Sequence, residues 1–131
     1  MRFTFIGLIL ALAGCAPSAG DAPRVLEIEP QNGSGVVGNV TLTSSGEGRT
    51  VVEIDVDPAG RPDMPAHIHS GTCDEMIPQP VYPLENVRDG SSRTEIPVAL
   101  SELLADPVVV NLHHSNDQME ISTACIGLGA A

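Results

Sequence analysis

Lysine is absent from this chain of 131 residues: its six basic residues are all arginine, set against 17 aspartates and glutamates, for a formal charge of −11. So acidic a surface repels phosphate backbones and anionic headgroups, which argues against nucleic acid and anionic membranes as partners. Small anionic substrates meet the same repulsion. Tryptophan is absent too, Tyr82 is the one tyrosine, and both phenylalanines, Phe3 and Phe5, lie in the first five residues. The core must therefore be built from Val, Ile, Leu and Ala. No apolar run is long enough to cross a bilayer. The longest, ending at Ala13, holds about eleven mostly apolar residues where a spanning helix needs roughly 20. Glycine and proline, by contrast, are plentiful at 13 and 11, a composition that favours short strands and many turns over long helices.

That first apolar run, preceded by Arg2, has the make-up of a signal-peptide h-region. Leu12-Ala13-Gly14-Cys15 resembles a bacterial lipobox, in which the cysteine is lipidated and becomes the mature N-terminus. An ordinary secretory signal cleaved near Ala16 is the alternative. On either reading the chain is exported into an oxidising compartment, the periplasm or the cell surface. The lipobox reading makes it a lipoprotein held to the membrane by its N-terminal lipid alone. Residues 1–14 are then the signal peptide and residues 15–23, rich in Ala, Pro, Ser and Gly, a flexible linker. Residues 24–131 form the folded domain. Loss of residues 1–14 removes Arg2 and no acid, so the exported chain is more acidic still.

Hydrophobic alternation then lays out the strands. Val25, Leu26 and Ile28 make a short first strand and Asn32-Gly33 a turn. Val36 to Thr43 forms a second strand, with Val40 and Leu42 on one face. The third strand alternates most cleanly: Val52, Ile54 and Val56 face one way, and Glu53, Asp55 and Asp57 face the other, as acids on a solvated face do. Pro58 to Pro65 reads as a loop, His67 to His69 as a strand, and Asp74 to Pro80 as an irregular proline-rich connection. Val81 to Leu84 can be only an edge strand or an extended segment, because Pro83 has no N–H to donate. Further strands follow at Ser92–Val98, Pro107–His113 and Met119–Cys125. Ser101 to Ala105 is the one helical turn, with Ser101 as its N-cap. About eight short strands and no long helix predict an antiparallel Greek-key sandwich or barrel.

The chemistry concentrates in Pro65-Ala66-His67-Ile68-His69-Ser70-Gly71-Thr72-Cys73. In an extended chain His67 and His69 share one face and Ile68 the other. A lone His-x-His is more often a solvated strand face than a ligand pair. His113 strengthens the pattern, since it points away from Val110 and Leu112 as the first two point away from Ile68. Three imidazoles on one sheet surface suit copper or zinc. His114 has the opposite parity but stands at a strand end, where alternation can break. It is a candidate fourth ligand, with a supporting or surface role as the plainer reading. Met64, Met76 and Met119 lie close by in sequence and could assist Cu(I), though ordinary packing is the plainer reading. No Asp or Glu stands beside the cluster as a general base, which argues against a hydrolytic zinc enzyme. With Cys15 assigned to the anchor, Cys73 and Cys125 are an even pair in an exported domain, for which a disulfide is the default.

Four segments in order carry a family resemblance: Gly35-Val36-Val37-Gly38-Asn39-Val40-Thr41; Ala66-His67-Ile68-His69 with Gly71 and Cys73; Val110-Asn111-Leu112-His113; and Ala124-Cys125-Ile126-Gly127. Together they resemble the copper/zinc superoxide dismutase superfamily, above all its short exported bacterial relatives. The resemblance implies an eight-stranded Greek-key sandwich, copper at His67, His69 and His113, and a disulfide from Cys73 to Cys125. It also exposes departures. No histidine lies between Cys73 and His113 to bridge copper to zinc, and that stretch is too short for the family's zinc loop. Ser122 stands where the enzymes carry a substrate-guiding arginine. Three functions are therefore in play: a copper-binding lipoprotein without full dismutase activity, an active copper-only dismutase, and a metal-free structural or interaction module at the cell surface. The retained histidines weigh against the third, and the missing bridging histidine and guiding arginine favour the first over the second.

Overall fold

The computed structural model describes residue 14 and residues 22–46 and 48–129. The expected signal peptide other than Gly14, the expected lipidation site Cys15 and all of the linker before residue 22 lie outside the described residues. Among the described residues eight strands form: β1 (Arg24–Pro30), β2 (Val37–Ser44), β3 (Thr50–Asp57), β4 (Asp63–Gly71), β5 (Met76–Arg88), β6 (Ser91–Ile96), β7 (Val108–Ser115) and β8 (Gln118–Gly127). A single helical turn, α1 (Leu100–Leu103), separates β6 from β7. Every pairing is antiparallel, and the strands close in the order β1-β2-β3-β6-β5-β4-β7-β8. The predicted all-β antiparallel architecture is the observed one.

Closure is uneven around the barrel. β5 meets β6 through one pair, Arg88↔Ser91, and β1 meets β8 through two, Glu29↔Cys125 and Pro30↔Ala124. The fold is thus two four-stranded sheets, β1-β2-β3-β6 and β5-β4-β7-β8, joined at narrow seams. Alternation fills the space between them. Val40, Leu42, Val52 and Ile54 come from one sheet and Ala66, Ile68, Val110 and Leu112 from the other, all of them buried. Each fully buried Val, Leu or Ile contributes about 1.5–3 kcal/mol, enough for many small aliphatic side chains to replace the missing aromatics.

Three local expectations need correction. Asp74 to Pro80 is not an irregular connection from end to end, because β5 runs for 13 residues from Met76 and contains Pro78, Pro80 and Pro83. These prolines fit because β6 pairs with β5 only at Arg88, so most of the β6-facing edge needs no ladder donor. The Pro58–Pro65 loop ends early: β4 begins at Asp63, and Pro65 falls at a register shift against β5 between Met64 and Ala66. The helical turn is preceded by Ala99 in an extended conformation with no side-chain cap, and Ser101 lies inside it.

Gly71 ends β4 and permits the chain to reverse there. Its φ is +108°, and a Cβ at this position would stand 2.2 Å from the Glu75 carbonyl oxygen, so the tight reversal through Thr72–Glu75 requires glycine. That turn lays the start of β5 back along β4 and presents Cys73 to β8.

Candidate metal centre

His67 and His69 lie on β4 and His113 on β7. In the β4–β7 ladder His67 faces Asn111 and His69 faces Val109. Since Ile68, Val110 and Leu112 point into the core, the histidines project from the outer face of the β5-β4-β7-β8 sheet. This face is not open to water. His69, Val109, Asn111 and His113 are all buried, and His67 is half-buried.

Two of the three rings are held by main-chain acceptors. His69 Nδ1–H donates to the Ile77 carbonyl at 2.9 Å, and His113 Nδ1–H donates to the Met119 carbonyl. Donation from Nδ1 leaves Nε2 of each ring as the lone-pair nitrogen. His69 Nε2 is buried without a hydrogen-bond partner. His113 Nε2 lies 3.0 Å from His67 Nδ1. One ligand nitrogen from each of the three rings falls within 4.8 Å of the others. Donors about 2.0–2.1 Å from one tetrahedral ion stand about 3.3–3.4 Å apart, so the widest pair need close by no more than about 1.5 Å. An unpartnered buried nitrogen on His69, the Nδ1–H bonds that fix His69 and His113, and a His67 Nδ1 set against the His113 Nε2 lone pair fit a metal ion that would replace the His67–His113 hydrogen bond. The three-histidine group can hold one.

The electrostatics agree. Burial, then the neighbouring His113 and His69, lower the pKa of His67. For His113, burial lowers the pKa more than the bond to the Met119 carbonyl raises it, and His69 lowers it further. Both rings therefore resist protonation, which is what a ligand nitrogen requires.

His114 is not brought to this group. Its Nδ1 accepts the Arg61 Nε–H at 3.2 Å, and Arg61 also donates to the carbonyls of Ser34 and Ala59. Met64 belongs to the core, where its Sδ accepts the Thr123 hydroxyl at 3.5 Å. Met119 is exposed and reaches His113 through its carbonyl. The disulfide is present: Cys73 is bonded to Cys125, with the Cα atoms 5.9 Å apart. Because Cys125 is in register with Asn111, the bond ties the covering turn to the sheet beside the histidines. Reading the sequence missed the two carbonyl acceptors, which no residue type encodes. It also missed the burial of Asn111, whose one signal is an amide inside the apolar run Val108–Leu112.

Fold and site together define an eight-stranded antiparallel β-barrel that carries, on the outside of one sheet, a three-histidine group able to hold a metal ion. No family model, curated protein or solved structure matches the chain.

Proposed function

We propose that this protein is a copper-binding domain of the superoxide dismutase type, exported and anchored through a lipid on Cys15, that holds copper without the enzymes' full catalytic apparatus. The observation that carries this reading is the convergence of His67 Nδ1 with His69 Nε2 and His113 Nε2, two of them oriented by carbonyls at their opposite nitrogens. Three imidazoles suit copper and zinc alike, and the sequence resemblance favours copper. Copper so held supplies one-electron chemistry between Cu(I) and Cu(II).

The reduced catalytic role rests on what surrounds the histidines. The fourth histidine of the chain is engaged by Arg61, so among the described residues no histidine is left to bridge the trio to a second metal. Ser122, which the sequence resemblance sets against the enzymes' guiding arginine, is in register with His113. With a formal charge of −11, superoxide is repelled from the surface. Storage, delivery or protective sequestration of copper at the cell envelope fits these features better than rapid turnover.

The test is Cu(II) titration with electron paramagnetic resonance, run beside a superoxide turnover assay. Tight uptake with a nitrogen-rich signal and negligible turnover is expected. Turnover near that of an efficient dismutase would instead establish an active copper-only enzyme. No uptake at micromolar copper would leave the metal-free module.

A further inference from the structure

Asn111 sits at the middle of the histidine-bearing face. On β7 it is two residues before His113, so the two side chains share a side of the sheet. Across the ladders it faces His67 on β4 and Cys125 on β8. It is 1% exposed. Val109, one step earlier on the same face, is 0% exposed, and a valine-like side chain would suit position 111 as well. A carboxamide there carries an unexplained cost, because Asn111 Oδ1 is buried with no hydrogen-bond partner.

Its other end is equally informative. Asn111 Nδ2 lies 3.4 Å from His113 Nε2, long for a hydrogen bond to a ring nitrogen. That separation is the spacing of two donors on one tetrahedral ion, about 3.3–3.4 Å. Nitrogen and oxygen of a carboxamide exchange places by a half-turn of the terminal group. The half-turn gives up only the weak 3.4 Å contact, since one end of the amide lacks a partner in either orientation. It puts the oxygen where Nδ2 now stands, 3.4 Å from His113 Nε2 and on the face that carries His67 and His69.

We propose that the side-chain oxygen of Asn111 is the fourth ligand of the metal centre. This assignment rests on the three-histidine reading and extends it: the site is three nitrogens and one oxygen, closed from the sheet side by Asn111. A hard carbonyl oxygen in place of a thioether favours Cu(II) or Zn(II) over Cu(I). The centre is accordingly built to retain a divalent ion.

The experiment uses the full chain and its N111L and N111D variants. Cu(II) and Zn(II) affinities are measured by competition, the Cu(II) resonance spectrum is recorded, and the metal-free melting temperature is determined. N111L is expected to bind Cu(II) at least tenfold more weakly, with altered g and hyperfine values, while melting metal-free at or above the wild-type temperature. N111D is expected to bind at least as tightly as wild type, through a carboxylate oxygen at the same place. Should N111L fail to fold, N111D alone decides, and loss of binding in N111D would overturn the assignment. So would an N111L variant with wild-type affinity and spectrum, or one that merely melts lower. These outcomes leave the three histidines intact; absence of metal uptake by the wild-type protein would overturn both readings.

Discussion

The two sheets are alike inside and unlike outside. Inward, β1-β2-β3-β6 offers Val40, Leu42, Val52 and Ile54, and β5-β4-β7-β8 offers Ala66, Ile68, Val110 and Leu112. Outward, the first sheet presents Glu27, Asn39, Asp55 and Glu95 to solvent, with Glu53 paired across strands to Arg93. The second presents His67, His69, Asn111 and His113 beneath a covering segment. The difference is made by that cover: the Thr72–Glu75 turn, the start of β5 and the Cys73–Cys125 bond. Carboxylates need water or partners and tolerate no such cover. Neutral imidazoles tolerate it, and once their Nδ1–H groups are satisfied the remaining lone pairs face one another. One alternating strand pattern thus yields a solvated face or a buried three-histidine group able to hold a metal ion, according to whether a loop excludes water from it.

The largest expected effect separates the faces by function. His113→Ala removes one of three lone pairs and leaves the Met119 carbonyl without its donor, so Cu(II) affinity should fall at least 100-fold. The acidic-face variant Asp55→Asn should leave affinity within about twofold. Calorimetric titration of both variants checks this, and equal losses would mean that metal binds through surface carboxylates. Next in size is the disulfide. Joining residues 52 apart, it is worth about 4 kcal/mol in the chain-entropy model. Cys73→Ser with Cys125→Ser should lower metal-free stability by about 2–4 kcal/mol in denaturant unfolding. It should also raise amide exchange over Thr72–Pro80 more than anywhere in β2 or β3. Uniform exchange would show that the bond does not hold the cover.

How much of this was legible in the sequence depends on the same contrast. The inner faces were readable because alternation of Val, Ile and Leu against polar residues is a local signal, and Val52, Ile54 and Val56 carry it plainly. The parity of His67, His69 and His113 was readable for the same reason. The proline-rich stretch misled, because a proline forbids a ladder donor only where the neighbouring strand asks for one. That β6 meets β5 at Arg88 alone is a property of the assembled barrel. The burial of the histidine face was equally hidden. It depends on where a turn folds back, and the carbonyls of Ile77 and Met119 that fix the rings are common to every residue type.

A smaller effect concerns pH. Burial and mutual repulsion hold His67 and His113 below the ordinary imidazole value near 6.5. The folded state therefore binds fewer protons than the unfolded state around and below that value. Their contribution to stability is intact above about pH 6.5 and is lost as pH falls through the lowered folded values. Metal-free protein should unfold progressively more easily from about pH 7 to about pH 5. Bound metal should steepen that slope, because each ligand nitrogen must stay unprotonated. Replacing both residues with asparagine should flatten the curve in this window, as denaturant midpoints at several pH values would reveal.

The smallest expected effect lies on the acidic face and tests whether that face is inert. Glu53 and Arg93 are directly opposed on β3 and β6, with Arg93 Nε 3.8 Å from the Glu53 carboxylate and both side chains well exposed. Exposed cross-strand pairs of this kind are worth about 0–1 kcal/mol and are weakened by salt. Glu53 also adds to a surface already dense in carboxylates, so removing its charge relieves repulsion while it breaks the pair. The two contributions oppose each other, and Glu53→Gln should shift stability by no more than about 0.5 kcal/mol, with the shift vanishing near about 1 M salt. Metal affinity should not change. A loss well above that figure would mean that the acidic face carries structure of its own and that the contrast between the sheets is less sharp than their side chains make it.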